Sequence, residues 1–308
     1  MIAFFANIFG VILNFIYEIV QNYGIAIIIF SVLIKLLMLP ISIKQQKTMK
    51  KTTKIQIKIK ELQAKYKNNP EKLNQEMMEL YQKEKMSPFS GCFSAIAQII
   101  LLFAVFYLVR SPLTYMKKVD TELINKYTKI INEKELSTNS AYPEIEVIRE
   151  IENIKKLKNN ENIDQTEEEK TDLAEIKDEE LEQLNMNMEF LGLNLAQVPT
   201  KSSDWKAYII PILYVLVSIL SMRIINSNPT KPNNVEKNND EKALTKQEEE
   251  FNPFDYMNKN MNIMFPFMYL AVALVAPLGL ALYWLMNSLL MIGEKLVLNK
   301  LLKDEEEN

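Results

Sequence analysis

Apolar residues are concentrated in long blocks that alternate with charged segments. Four blocks are long enough to cross ~30 Å of hydrocarbon, which takes about 20 helical residues. They are residues 25–43, 89–109, 207–225 and 261–298. The last block is too long for one crossing, and Ala276-Pro277-Leu278-Gly279 near its middle predicts a break into two helices. The pattern therefore predicts an all-α polytopic membrane protein with five spanning helices.

The first twenty residues are mostly apolar but lack a basic n-region and a small-residue cleavage site, so we do not expect a removed signal peptide. Their polar positions share one helical face: Asn7, Asn14, Glu18 and Gln21. This stripe predicts a helix in the outer interface with its polar side toward water. The alternative is a further crossing that turns at Gln21-Asn-Tyr-Gly24.

A basic segment follows the first core helix. It carries an apolar stripe at Ile55, Ile59, Leu62 and Tyr66 and a second one at Leu73, Met77, Leu80 and Tyr81. Between the stripes, Asn69 is suited to cap a helix and Pro70 to occupy its first position. The segment therefore predicts an antiparallel helical hairpin. Residues 55–60 also fit a strand period, but no partner strand is evident nearby.

Charge is zoned along the chain, so the formal net charge of -3 says little. Between Ile41 and Ser87 lie twelve Lys and five Glu, which places this segment in the cytoplasm by the positive-inside rule. A solvated face near anionic lipid explains the lysines, and a docking surface for an anionic partner is the alternative. The predicted divisions are 1–21 (interfacial helix), 22–43 (first core helix), 44–87 (cytoplasmic basic hairpin), 88–110 (second helix), 111–205 (extracytoplasmic segment with an acidic insertion), 206–226 (third helix), 227–259 (cytoplasmic loop), 260–276 (fourth helix), 278–299 (fifth helix) and 300–308 (cytoplasmic tail).

Lys35 is the residue most informative about function, because it is a cation inside an apolar helix. A central Lys costs ~2.5 to 3.5 kcal/mol on translocon-type scales, so it must be solvated, paired or brought to the interface. One possibility is that it snorkels, since Pro40 lies only roughly 8 Å further along the helix. The other is that it lines a polar cavity.

Several chemistries are excluded or disfavoured. The chain has no His and a single cysteine, Cys92, so His-based triads, His/Cys metal sites and disulfides are not expected, and neither is a cofactor. Ser31 and Lys35 have the i, i+4 spacing of a hydrolytic dyad, but no oxyanion hole is evident and such a serine usually bonds its own backbone. We therefore do not expect an enzyme. A channel or secondary transporter with a midplane Lys is the alternative function, although no inverted repeat is visible.

Four motifs in order carry a resemblance to a known family. They are residues 22–40 followed by the basic hairpin, residues 87–98, Phe190-Leu-Gly-Leu-Asn-Leu195, and Pro277-Leu-Gly-Leu-Ala-Leu-Tyr283-Trp284-Leu-Met-Asn287. With this order and spacing the chain resembles the YidC/Oxa membrane protein insertases. The resemblance implies five core helices around a hydrophilic groove that is open to the cytoplasm and to lipid and closed toward the exterior.

The resemblance also implies roles for single residues. Lys35 matches the groove cation, which is usually Arg in the family, and Ser31 and Gln98 match polar groove positions. Tyr283 or Trp284 falls where aromatic side chains of the last helix contact the substrate helix.

The resemblance further implies that the protein inserts and helps fold integral membrane proteins and resides in the bacterial cytoplasmic membrane, with its C-terminus in the cytoplasm. The implied partners are nascent membrane proteins, the lipid bilayer, and the ribosome with a Sec translocon or targeting receptor; DNA is not expected. One departure from the family pattern is notable. The segment 117–187 is longer and more acidic than a minimal member needs, and its stretch 159–184 is predicted to be partly disordered or a solvated helix.

Overall fold

The structure is a computed structural model. It describes residues 2–67, 69–84, 90–134, 136, 141–159, 176–226, 268 and 270–307. The helices are α1 (Ile2–Val20), α2 (Tyr23–Lys65), α3 (Pro70–Lys83), α4 (Ser90–Arg110), α5 (Thr121–Glu133), α6 (Pro143–Asn159), α7 (Asp178–Leu184), α8 (Ile209–Asn226) and α9 (Leu278–Glu307). A π-helical turn at Leu113–Lys117 follows α4, and an antiparallel pair of short strands, β1 (Glu189–Phe190) and β2 (Leu193–Asn194), precedes α8.

The predicted all-α polytopic fold is confirmed. Within the described residues, four segments are long and apolar enough to cross a membrane: Ile2–Val20, Tyr23–Thr48, Trp205–Ile224 and Leu278–Leu298. In α4 the apolar stretch among the described residues is the shorter Ile99–Arg110. The predicted fourth helix lies mostly outside the described residues. The predicted break after it is confirmed, because α9 begins at Leu278, directly after Pro277.

Helix α1 packs against α2, α4 and the π-helical turn. Two residues of its polar stripe bond to lysines after α4, since Glu18 pairs with Lys117 at 3.1 Å and the Lys118 ammonium donates to the Asn7 side chain, while Asn7, Glu18 and Gln21 remain exposed. On the neighbouring face of the helix, Phe4, Val11, Phe15 and Ile19 are exposed. The lysines after α4 thus satisfy part of the stripe that the sequence predicted to face water.

Helix α2 runs without interruption from the apolar block into the basic hairpin, with Pro40 inside it. The predicted boundary at residue 43 is therefore not a break in the helix. The Asn22 side chain caps its first turn by accepting from the Ile25 amide at 3.0 Å.

The hairpin is built as the sequence predicts. The Asn69 side chain accepts from the Lys72 amide at 3.1 Å, and Pro70 is the first residue of α3. Helix α3 folds back on α2, since Lys58 pairs with Glu84 at 2.6 Å and the Tyr66 hydroxyl donates to Glu76 at 3.0 Å. The strand alternative for residues 55–60 is wrong, because this stretch is helical.

The segment around the β-hairpin ties α1, α2 and α9 together. The Tyr23 amide donates to the Asn187 carbonyl at 3.0 Å, and the Asn187 amide donates to the Tyr17 hydroxyl at 2.8 Å. At the start of α9, the amides of Leu278 and Gly279 donate to the carbonyls of Gln197 and Leu195 at 2.9 and 3.0 Å. These bonds satisfy amides that a helix start leaves without intrahelical partners and fix the beginnings of α2 and α9 at one level.

The segment between α4 and α8 has its own packed interior, which we call the cap (residues 111–208). Its buried apolar side chains include Ile124, Tyr127, Ile131, Ile145, Val147, Ile148, Ile151, Leu181 and Leu184. Arg149 joins two buried carboxylates, with Glu146 at 2.7 Å and Glu150 at 2.8 Å. In the stretch predicted to be disordered or a solvated helix, residues 160–175 lie outside the described part and α7 packs against α6.

Candidate functional site

The cation singled out in the sequence is paired. Lys35 Nζ lies 2.5 Å from Glu294 Oε2 of α9, and the two side chains retain only 21% and 11% of their exposed areas. Each charge loses solvation energy among apolar helices, and its attraction to the opposite charge offsets part of that loss. The pair is therefore the focus of the candidate site, in place of a lysine that snorkels alone.

Close helix packing positions this pair. A Cβ added at Gly279 would lie 3.2 Å from the Tyr23 ring and 3.7 Å from Ile27, so glycine allows α9 to approach the first turns of α2. Lys35 lies about 18 Å along α2 from Tyr23, and Glu294 about 24 Å along α9 from Leu278. Because both helices begin at the same level and run in the same direction, the two long side chains meet well inside the membrane-spanning length.

Ser31 is buried one turn before Lys35, and its hydroxyl donates to the Ile27 carbonyl at 2.7 Å. This backbone bond is the ordinary arrangement for a serine on an apolar helix. The hydroxyl proton that Lys35 would have to remove in a Ser31–Lys35 dyad is therefore donated to the helix backbone.

Tyr283 and Trp284 are both buried in the protein, at 6% and 7% exposure. The Trp284 ring contacts Tyr214 of α8, with centroids 6.0 Å apart and planes at 42°. In this arrangement the tryptophan helps to join α9 to α8, the most extensively packed helix pair of the structure. Contact with a substrate helix stays a prediction for both residues.

Gln98 lies on α4, and its side chain is outside the described part of the structure, as is that of Cys92. The structure thus brings Lys35 and Ser31 onto one helix, places Tyr283 and Trp284 in the α8–α9 contact, and leaves the Gln98 role a prediction. The described residues hold no cluster of three or more His, Cys, Asp or Glu suited to a metal ion.

Glu294 is the site residue that sequence reasoning missed. It lies within the last apolar block, and the rule that singled out Lys35 applies equally to a carboxylate inside a spanning helix.

Comparison with known proteins agrees with this architecture. The sequence profile of the family described as "60Kd inner membrane protein" matches residues 15–306. Proteins named "Membrane protein insertase YidC" are 44% identical over 109 residues in Caldanaerobacter subterraneus subsp. tengcongensis, 45% over 102 residues in Chlorobaculum tepidum and 40% over 106 residues in Helicobacter pylori. These matches cover 35%, 33% and 34% of this chain. They cover about half of the first relative, 53%, and 17% and 19% of the other two.

Proposed function

The chain belongs to the 60Kd inner membrane protein family, and we propose that it is an insertase that inserts and helps fold integral membrane proteins through a hydrophilic intramembrane groove. The relatives that match it carry the name membrane protein insertase YidC. The all-α polytopic structure with four long apolar helices in its described part suits such a role.

The observation that carries the proposal is the Lys35–Glu294 pair. Moving the hydrophilic end of a substrate across a membrane exposes charged side chains and unpaired backbone groups to hydrocarbon, at several kcal/mol for each unsatisfied group. A charged pair that is partly accessible, at 21% and 11% exposure, offers polar partners inside the membrane-spanning length. The barrier for the polar part of the substrate is thereby lowered along the half of the crossing that contains the pair.

In this proposal Lys35 attracts acidic residues of the incoming segment, while Ser31 and Gln98 add polar groups and the helix with Tyr283 and Trp284 guides the substrate into lipid. The energy comes from partitioning of the apolar substrate helix, with help from the membrane potential. Cofactor chemistry has no part in it.

The basic hairpin, α3 with the second half of α2, lies on the cytoplasmic side in this proposal, as does the C-terminus. Its lysines suit an anionic partner such as the ribosome, or a Sec translocon or targeting receptor acting with it. Family membership and the Lys excess between Ile41 and Ser87 support this placement.

Insertion of a short single-span substrate with an acidic exterior tail, in cells depleted of other insertases, tests the proposal. Lys35→Arg keeps the charge and is expected to work, whereas Lys35→Ala and Lys35→Glu are expected to fail. Ser31→Ala and Gln98→Ala are expected to be milder. Lys201→Glu is the matched control, because Lys201 lies exposed in the cap, outside both α2 and the basic hairpin. Undiminished insertion by Lys35→Glu refutes the role of the groove cation.

A further inference from the structure

Glu294 already occupies the place that an acidic substrate residue would take. Its Oε2 lies 2.5 Å from the Lys35 ammonium, and its side chain is 11% exposed. Its other oxygen, Oε1, is buried and accepts no hydrogen bond from the described residues. One oxygen of the carboxylate is thus engaged, and the other has no partner within the described part of the chain.

Exchange of one carboxylate for another differs energetically from removal of the pair. Leaving Lys35 without any anion would leave an uncompensated charge in a poorly solvated place, which is strongly unfavourable. An acidic side chain that enters as Glu294 leaves keeps the ammonium paired throughout. A neutral segment cannot make this exchange, since it offers no replacement charge.

The depths of the two residues in the membrane indicate which side chain leaves the ion pair when a substrate binds. Glu294 lies about 24 Å along α9 from Leu278, so it is within roughly 6 Å of the far edge of ~30 Å of hydrocarbon. Lys35 lies about 18 Å along α2 from Tyr23, which is deeper. A released Glu294 can therefore reach the water at that edge sooner than Lys35 can.

We propose that Glu294 is a specificity-determining residue, an internal competitor that holds Lys35 until a substrate carboxylate displaces it. This inference rests on the proposed insertase function and deepens it. The competitor sets how strongly an acidic segment must bind before it is accepted, so it tunes the preference between acidic and neutral tails. When the charge of Glu294 is removed, any acidic segment can bind Lys35 without competition.

The test compares insertion of two single-span reporters that differ only in an acidic or a neutral exterior tail. Both are expressed at limiting level in depleted cells that carry wild type, Glu294→Asp or Glu294→Gln. Glu294→Gln keeps the shape and removes the charge, and the shorter Glu294→Asp weakens the pair. The readout is the ratio of acidic-tail to neutral-tail insertion. Glu18→Gln is the matched control, because Glu18 also pairs with a lysine, Lys117, but on α1.

We expect the ratio to rise several-fold from wild type to Glu294→Gln, with Glu294→Asp between them and Glu18→Gln equal to wild type. In a Lys35→Ala background, Glu294→Gln should not restore insertion of the acidic-tail reporter, because no cation is left to compete for. A merely structural role would change both reporters by the same factor, so an unchanged ratio overturns the proposal. Should Glu294→Gln not accumulate, a Glu294→Asp ratio equal to that of wild type overturns it equally.

Failure of the insertase function itself has a different signature. In that case wild type inserts neither reporter above the level of depleted cells. The ratio is interpreted only where wild type exceeds that level, so the two failures are distinguishable.

Discussion

Neutralising Lys35 alone should destabilise the protein far more than neutralising both partners of its ion pair. At 2.5 Å, the direct attraction is about 6–7 kcal/mol for an effective dielectric constant of about 20. Desolvation offsets several kcal/mol for each ion, so the intact pair adds little net stability. Lys35→Met, however, leaves the buried Glu294 carboxylate without its cation, and we expect a loss of ~3–5 kcal/mol in the free energy of unfolding.

The double variant Lys35→Met with Glu294→Met removes both charges at similar volume. We expect its free energy of unfolding to lie within about 1 kcal/mol of wild type or above it, because replacing a buried pair by apolar residues is often neutral or stabilising. Lys117→Met is the control. The Glu18 partner is half exposed, so this change should cost only ~0–1 kcal/mol.

Denaturant unfolding of the purified proteins in detergent gives these differences, and the same variants are assayed for insertion of the acidic-tail reporter. The double variant is expected to be folded and inactive, which separates the function of the cation from its effect on folding. Wild-type stability for Lys35→Met, or a double variant as unstable as the single one, would show that the pair is not a buried, coupled unit.

Two further predictions concern packing and pH. Gly10→Ala should lower the free energy of unfolding by ~1–3 kcal/mol, because its Cβ would lie 1.9 Å from the Tyr115 carbonyl oxygen. Gly293→Ala has open space around it and should raise the free energy of unfolding by ~0.5–1 kcal/mol. Thermal unfolding of both variants checks these predictions, and equal effects would contradict them. Burial raises the pKa of Glu144, although hydrogen bonds from the Thr114 amide and hydroxyl at 3.0 and 2.7 Å oppose the shift. The protonated form therefore favours folding, so wild type should lose stability relative to Glu144→Gln as the pH rises from about 4 through the raised pKa. Parallel melting temperatures of the two proteins across that range would contradict this prediction.

Local signals in the sequence predicted local structure well. The helix N-terminus capped by Asn69 and the helix break at Pro277 depend on backbone chemistry within a few residues, and both are confirmed. Lys35 stood out because a charge in an apolar helix is costly wherever its partner lies. Family membership, indicated by four ordered motifs, is also confirmed.

Partners between distant helices were not predictable in the same way. The pairing of Lys35 with Glu294 depends on the axial offset between α2 and α9, which is set by the bonds of Leu278 and Gly279 to the segment after β2. The pattern of apolar residues within one helix carries no information about its position along a neighbouring helix. Glu294 itself could nevertheless have been identified from the sequence as a candidate site residue, because it is a charged residue in an apolar block.

The packing of the cap shows a different reason for a missed feature. Ile124, Tyr127 and Ile131 recur at helical spacing and are buried, yet the surrounding acidic residues dominated the interpretation of this segment. Carboxylates such as Glu146 are also buried here, with Arg149 as partner. Charge composition alone therefore does not indicate which side chains of the cap are buried.

The unbroken course of α2 has a mechanical consequence. Its 43 residues form a rod about 65 Å long that carries the ammonium of residue 35 about 18 Å from one end and the lysine-rich hairpin at the other. Pro40 lies between them and cannot donate the usual backbone bond, so it is the softest point of the rod. We therefore expect a force on the hairpin to bend α2 at Pro40 before it displaces the ammonium of residue 35.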